Sequence, residues 1–131
     1  MMRTVWSAVL GVVAGCAPQR PLHCFGFQSR AWHLDMTSDK TGLSLDALLT
    51  PVGNHGLRVS GTMTTGEGTK EPLDYPVDSL VVWGDSLRFS FAPLGITVVG
   101  HCLQDGTITG RFVVPQPPYG PIVGTGTLRR Q

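Results

Sequence analysis

The sequence predicts an all-β domain, an antiparallel up-and-down barrel of about eight strands. Three observations carry this expectation. The chain holds 17 glycines and 10 prolines in 131 residues, too many for a helical bundle and not periodic enough for collagen. From Ala31 onward, apolar residues recur almost everywhere at every second position, the pattern of half-buried strands. Turn residues separate these stretches at nearly even spacing, which suggests a meander, and a meander this long removes its edges by closing on itself. An open β-sandwich is the alternative fold.

In the first stretch Trp32, Leu34 and Met36 alternate with His33 and Asp35. Leu43, Leu45, Ala47 and Leu49 form the second stripe, and residues 51–56 read as a turn cluster. Leu57, Val59, Gly61 and Met63 form the third, with Arg58, Ser60, Thr62 and Thr64 on the opposite face. Residues 66–72 read as a polar loop and residues 75–83 as the fourth strand. Gly84-Asp85 is a tight connection into the alternating Leu87, Phe89 and Phe91. Pro93-Leu94-Gly95 turns the chain into residues 96–103, and Asp105-Gly106 is a strong hairpin signal. Residues 107–114 make the seventh strand, residues 115–121 a proline-rich connection, and residues 122–129 the last strand. Gly61, Gly100, Gly110, Gly124 and Gly126 fall inside strands, where glycine marks bends that let a sheet curl.

Residues 1–15 read as a signal peptide. Arg3 supplies a positive start, and the apolar run that ends at Gly15 is interrupted only by Ser7. That run is shorter than the roughly 20 residues a membrane span takes. Val13-Ala14-Gly15-Cys16 resembles a bacterial lipobox. The small residues let a peptidase backbone approach, and the resemblance implies that Cys16 carries a lipid and begins the mature chain. A plain secretory signal cut after Ala17 and an uncleaved anchor are the alternatives, and Pro18 argues against that cut. Residues 16–30 lack a clear period, contain Pro18 and Pro21, and read as a tether; residues 31–131 are then the barrel. This places the protein in the bacterial cell envelope, attached to a membrane through its N-terminal lipid and exposed to the periplasm or exterior.

Cys24 and Cys102 remain. In an oxidising compartment two leftover thiols commonly pair, and the bridge would tie the tether to a late strand. The repeated dipeptides His23-Cys24 and His101-Cys102 also suggest zinc, although adjacent strand residues point to opposite faces and zinc sites space their paired ligands more widely. A disulfide is the preferred reading; zinc and free thiols stay open. No cofactor is expected.

The formal net charge is +1, and eight of the 10 basic residues are arginines, scattered except for Arg129-Arg130. That pair reads as a solvated strand end, and no basic excess points to nucleic acid.

Several segments together resemble the lipocalin-like β-domains found ahead of some secreted α/β-hydrolases. They begin with Leu57-Arg58-Val59-Ser60-Gly61-Thr62-Met63 and continue through Asp85-Ser86-Leu87-Arg88-Phe89-Ser90-Phe91 and Val98-Val99-Gly100. Asp105-Gly106-Thr107-Ile108-Thr109-Gly110-Arg111-Phe112 and Gly126-Thr127-Leu128-Arg129-Arg130 complete the set. The resemblance covers residues 42–130, with Phe112 where the family often has tryptophan. It implies a barrel with a binding or accessory role and supplies no catalytic residue, because in such proteins the nucleophile lies in the hydrolase domain.

Catalytic motifs are otherwise sparse. Gly84-Asp85-Ser86-Leu87 spells the motif name of the GDSL esterases, but those need further glycine and asparagine blocks and a late Asp-x-x-His, and this chain has the single asparagine Asn54. The tetrapeptide sits where a hairpin belongs, and a triad is recognised by convergent roles. No Gly-x-Ser-x-Gly elbow, phosphate loop or His-Glu-x-x-His occurs. His33 reads as a solvent-side strand residue and His55 as a turn residue. Trp32, Trp83, Phe89, Phe91 and Phe112 read first as core. Trp32, Trp83 and Tyr119 are the candidate contacts for a ligand or partner.

The expected function is therefore non-catalytic: a membrane-tethered barrel that binds a small apolar ligand or an envelope protein. An accessory domain for a separately encoded hydrolase, or an envelope-enzyme inhibitor acting through residues 115–121, are the alternatives. A hollow interior favours the ligand, and a filled one with an exposed apolar rim favours the protein partner. With few bulky residues in short strands, the interior is expected to be filled.

Overall fold

The structure, a computed structural model, describes residues 24–54, 56–115 and 121–131. Cys16, His23, His55 and Tyr119 lie outside the described residues, as do residues 1–15, expected to be a signal peptide, and most of the segments expected to be a tether and a proline-rich connection. A single 3-10 turn, Phe27–Ser29, precedes strands β1 (Trp32–Thr37), β2 (Ser44–Val52), β3 (Gly56–Thr64) and β4 (Lys70–Trp83). Strands β5 (Ser86–Phe91), β6 (Ile96–Cys102), β7 (Ile108–Val114) and β8 (Ile122–Arg130) follow. Each pairs antiparallel with the next, and β8 returns to β1, so the eight strands close a barrel rather than a sandwich. The last of these closing pairs sets Leu128 against Leu34 and Arg130 against Trp32.

Period-two alternation explains the wall. In β1, Trp32, Leu34 and Met36 are buried while Asp35 and Thr37 are exposed. The inward residues fill the interior: Phe27, Phe89, Phe91 and Phe112 are all essentially inaccessible, with Leu34, Leu45, Leu49 and Ile96 among them. Stacked rings run through this core, with centroids 5.1 Å apart for Phe27 and Trp32, 6.2 Å for Phe27 and Phe89, and 6.3 Å for Phe89 and Phe91. Burying a side chain of this size contributes about 1.5–3 kcal/mol.

Glycine makes room for those side chains on one side of the barrel. Gly100 faces Gly110, and Gly110 faces Gly126, across β6, β7 and β8, and the row continues into Met36 of β1. A Cβ on Gly126 would fall 2.6 Å from the Met36 Cα and 2.7 Å from its Cγ. One row away, a Cβ on Gly124 would meet the Phe112 ring. The bare backbone brings these strands close and lets larger residues cross the axis.

Two expectations need correction. The fourth strand begins at Lys70, not at residue 75, so the polar loop shortens to residues 65–69. Among the described residues, Lys70 to Pro76 pair with β3 alone, and Val77 to Trp83 with β5 alone. β4 thus passes from one neighbour to the other. Pro72 and Pro76 fit in its first half because a missing N–H costs nothing where it would face the unpaired side. A bulge at Ser79, which has φ of 56°, shifts the register between Asp78 and Val81. The inward apolar series accordingly changes phase from Tyr75 and Val77 to Leu80 and Val82.

The second correction concerns the boundary between tether and barrel. Cys24 and Phe27 are buried in the core cluster, so residues 24–30 belong to the folded body. They escaped the strand reading because a plug at the end of a barrel inserts one large side chain and has no period. Pro51 and Val52 also extend β2 into what reads as a turn cluster, pairing with Leu57 and Gly56.

Candidate functional site

The Phe27 plug defines one end of the barrel, where β1, β3, β5 and β7 begin. Gly26, at φ of 77°, turns the chain so that Phe27 enters the interior. The turn is closed by backbone bonds from Phe27 N to Cys24 O at 3.1 Å and from Ser29 N to Gly26 O at 3.0 Å. The Ser29 hydroxyl adds a 2.8 Å bond to the same Gly26 carbonyl. Trp32 donates its indole N–H to the Phe27 carbonyl at 3.0 Å, which satisfies the polar atom of a buried ring.

The Cys24–Cys102 disulfide fastens this cap to the last residue of β6, with the two Cα atoms 5.5 Å apart and a sequence separation of 78. The Cys102 N–H donates to the Asp85 carbonyl at 2.7 Å, tying in the β4–β5 turn. The two sulfurs are spent on each other, and His101 is exposed on the opposite face of β6 from buried Cys102. Among the described residues no cluster of three or more His, Cys, Asp or Glu side chains is placed to hold a metal ion.

Beside the cap lies an open cleft of about 530 Å³, bounded by Phe25 and Gln28 of the cap, Pro51, Gly53 and Asn54 of the β2–β3 hairpin, and Val82 of β4. Among the described residues no charged side chain lines it. Phe25 is 79% exposed, two residues before fully buried Phe27. Trp83 is 51% and Val52 46% exposed, and both sit at this same end. Of the three candidate contact residues, Trp83 is therefore on the surface. Trp32 is not: at 5% exposure it is core, and its assignment as a contact is corrected. Tyr119 lies outside the described residues. Phe25 was missed, and its signal was an aromatic with a buried neighbour two positions on in a segment that looked like linker.

A second cleft of about 400 Å³ opens at the other end, between residues 37–41 and 121–125. It includes Ser38, whose hydroxyl is buried without a partner among the described residues.

The barrel wall brings together side chains that are remote in sequence. Ser86 faces His101 across β5 and β6, both on the outer face, and no hydrogen bond joins them among the described residues. His33 Nε2 lies 2.6 Å from Asp46 Oδ1, both partly exposed. Arg58 donates through Nε to Asp74 Oδ1 at 2.6 Å. This hydrogen bond, and then the guanidinium charge, hold the Asp74 carboxyl below its ordinary range, while the same bond, and then the carboxylate charge, raise the Arg58 pKa. The backbone N–H of Thr107, donated at 2.8 Å, similarly lowers the Asp105 pKa at the β6–β7 turn. Both carboxyls are fully exposed. Their small contributions are present above the ordinary carboxylate range and fade as pH falls through the lowered values.

Comparison with protein-family models, curated proteins and solved structures gives no match.

Proposed function

We propose that this chain is a non-catalytic, lipid-anchored envelope domain that holds another protein against the apolar rim of its capped end. The observation that carries this reading is exposed Phe25 beside an uncharged cleft, at the end where the tether meets the barrel. A ligand inside the barrel would have to displace fully buried Phe89, Phe91 and Phe112, so the filled interior favours a protein partner over a small apolar ligand. A separately encoded hydrolase is one such partner, and a lipocalin-like ancestry would fit it. The inhibitor alternative rests on residues 115–121, of which 116–120 lie outside the described residues.

Attachment is tested first. Mass spectrometry of the protein made in a bacterial host should find a diacylglycerol-modified Cys16 as the first residue. An intact Met1, or a soluble product starting beyond Cys16, would remove the anchor from the proposal.

Partner binding is tested by placing a photo-reactive phenylalanine at position 25, and separately at Leu94 on the opposite end, which is also exposed. Irradiation of intact cells should give a discrete adduct from position 25 only, and Trp83→Asp should abolish it while leaving the melting temperature unchanged. Equal labelling from both positions, or none from position 25, contradicts the reading.

A further inference from the structure

We propose that residues 80–83, the end of β4, form a strand-addition site that accepts an extended, uncharged segment of a partner polypeptide. This deepens the partner-binding reading and rests on it. Beyond Pro76, β4 has lost β3 and among the described residues is paired only with β5, so one side of its backbone faces the gap between β4 and the β2–β3 hairpin. The cleft lies in that gap, with Val82 on one wall and Pro51 and Gly53 on the other.

Proteins guard exposed strand edges with proline, lysine or bulges. The first half of β4 is guarded in this way by Lys70, Pro72 and Pro76, and the bulge at Ser79 ends that half. Leu80, Val81, Val82 and Trp83 follow with neither proline nor lysine. Backbone donors and acceptors along about 13 Å of strand demand a partner that supplies the complementary series, and an extended polypeptide does so.

The surroundings select the occupant further. Because no charged side chain among the described residues lines the cleft, a segment with uncharged polar and apolar residues in alternation suits its walls, and Phe25, Pro51 and Val82 receive its apolar side. A second copy of this chain fits less well. Its own β4 would bring the paired β5 with it, whereas a partner segment needs to supply one extended strand alone.

The test adds a capped pentapeptide of alternating threonine and valine to the purified mature protein and follows backbone amide exchange by NMR. Exchange of those amides within residues 80–83 that point away from β5 should be fast in the free protein and slow by about tenfold or more at saturating peptide. The same peptide N-methylated at alternate residues, which keeps its side chains and loses its donors, should give no protection. Equal binding of both peptides, with changes confined to Phe25 and Pro51, overturns strand addition while leaving the apolar rim and the partner-binding reading intact. Slow exchange of those amides already in the free protein also overturns it, assigning the edge to residues 17–23 if the mass is monomeric and to a second copy if it is dimeric. A discrete adduct from position 25 combined with no peptide protection likewise separates the two failures.

Discussion

Reduction of the Cys24–Cys102 bridge is expected to lower the stability of the domain by about 4 kcal/mol, because the loop it closes is long and its constraint on the unfolded chain is correspondingly large. For a domain of this size that corresponds to a melting temperature lower by on the order of 20 °C. Cys24→Ser and Cys102→Ser should each cost about the same, and the double variant little more, since the two sulfurs act as one unit. The loss should have a local marker. Releasing Cys24 loosens the cap that carries Phe27, and with it the acceptor of the Trp32 indole N–H. Trp32 is buried and Trp83 already half exposed, so a red shift of tryptophan emission on reduction reports the cap. Two freely titrating thiols in oxidised, metal-free protein would rule the bridge out.

Gly126→Ala is expected to destabilise the barrel by about 2–3 kcal/mol through overpacking. The sign is the informative part, because replacing glycine by alanine within a strand ordinarily gains about 0.5–1 kcal/mol. Here the added methyl meets the backbone of β1, at the Asp35 carbonyl and the Met36 Cα, and backbone held in a closed ladder cannot rotate away as a side-chain tip can. The denaturant midpoint measures the effect. An unchanged or raised midpoint would mean that β8 and β1 are not packed so closely.

The strands were legible where one face is buried and the other wet. Trp32, Leu34 and Met36, or Leu87, Phe89 and Phe91, are stripes that no other local structure explains, and the structure places each of them inward. Reading failed where pairing, not burial, makes the strand. Lys70, Glu71 and Pro72 are all exposed, and only their register with Thr64, Met63 and Thr62 holds them extended. The bulge left a trace that could have been followed: apolar residues occupy positions 75 and 77 and then 80 and 82, a change of phase within one strand.

The candidate site was less legible for a related reason. Trp32 and Trp83 look alike in sequence, but one begins an inward series and the other ends an outward one. Phe25 and Phe27 share a segment without period, and which of them enters the barrel is decided by the left-handed turn at Gly26. The cysteine pairing needed only compartment and count, since its partner was the one thiol left over. The edge of β4 left without a neighbour among the described residues could not be foreseen, because it arises from the stagger that moves this strand from β3 to β5.

The position of the disulfide also has a mechanical consequence. A tug on the tether arrives at Cys24, before the cap and before β1. Without the covalent link, the load would draw Phe27 out and then peel β1 from β2 and β8 one hydrogen bond at a time. With it, the load divides at once and enters β6, in the wall on the far side of β7 and β8 from β1. Unzipping then gives way to shear across strands paired on both sides, which fail together. Force applied ahead of Cys24 is thereby taken up by the wall of the barrel and not by its first strand alone.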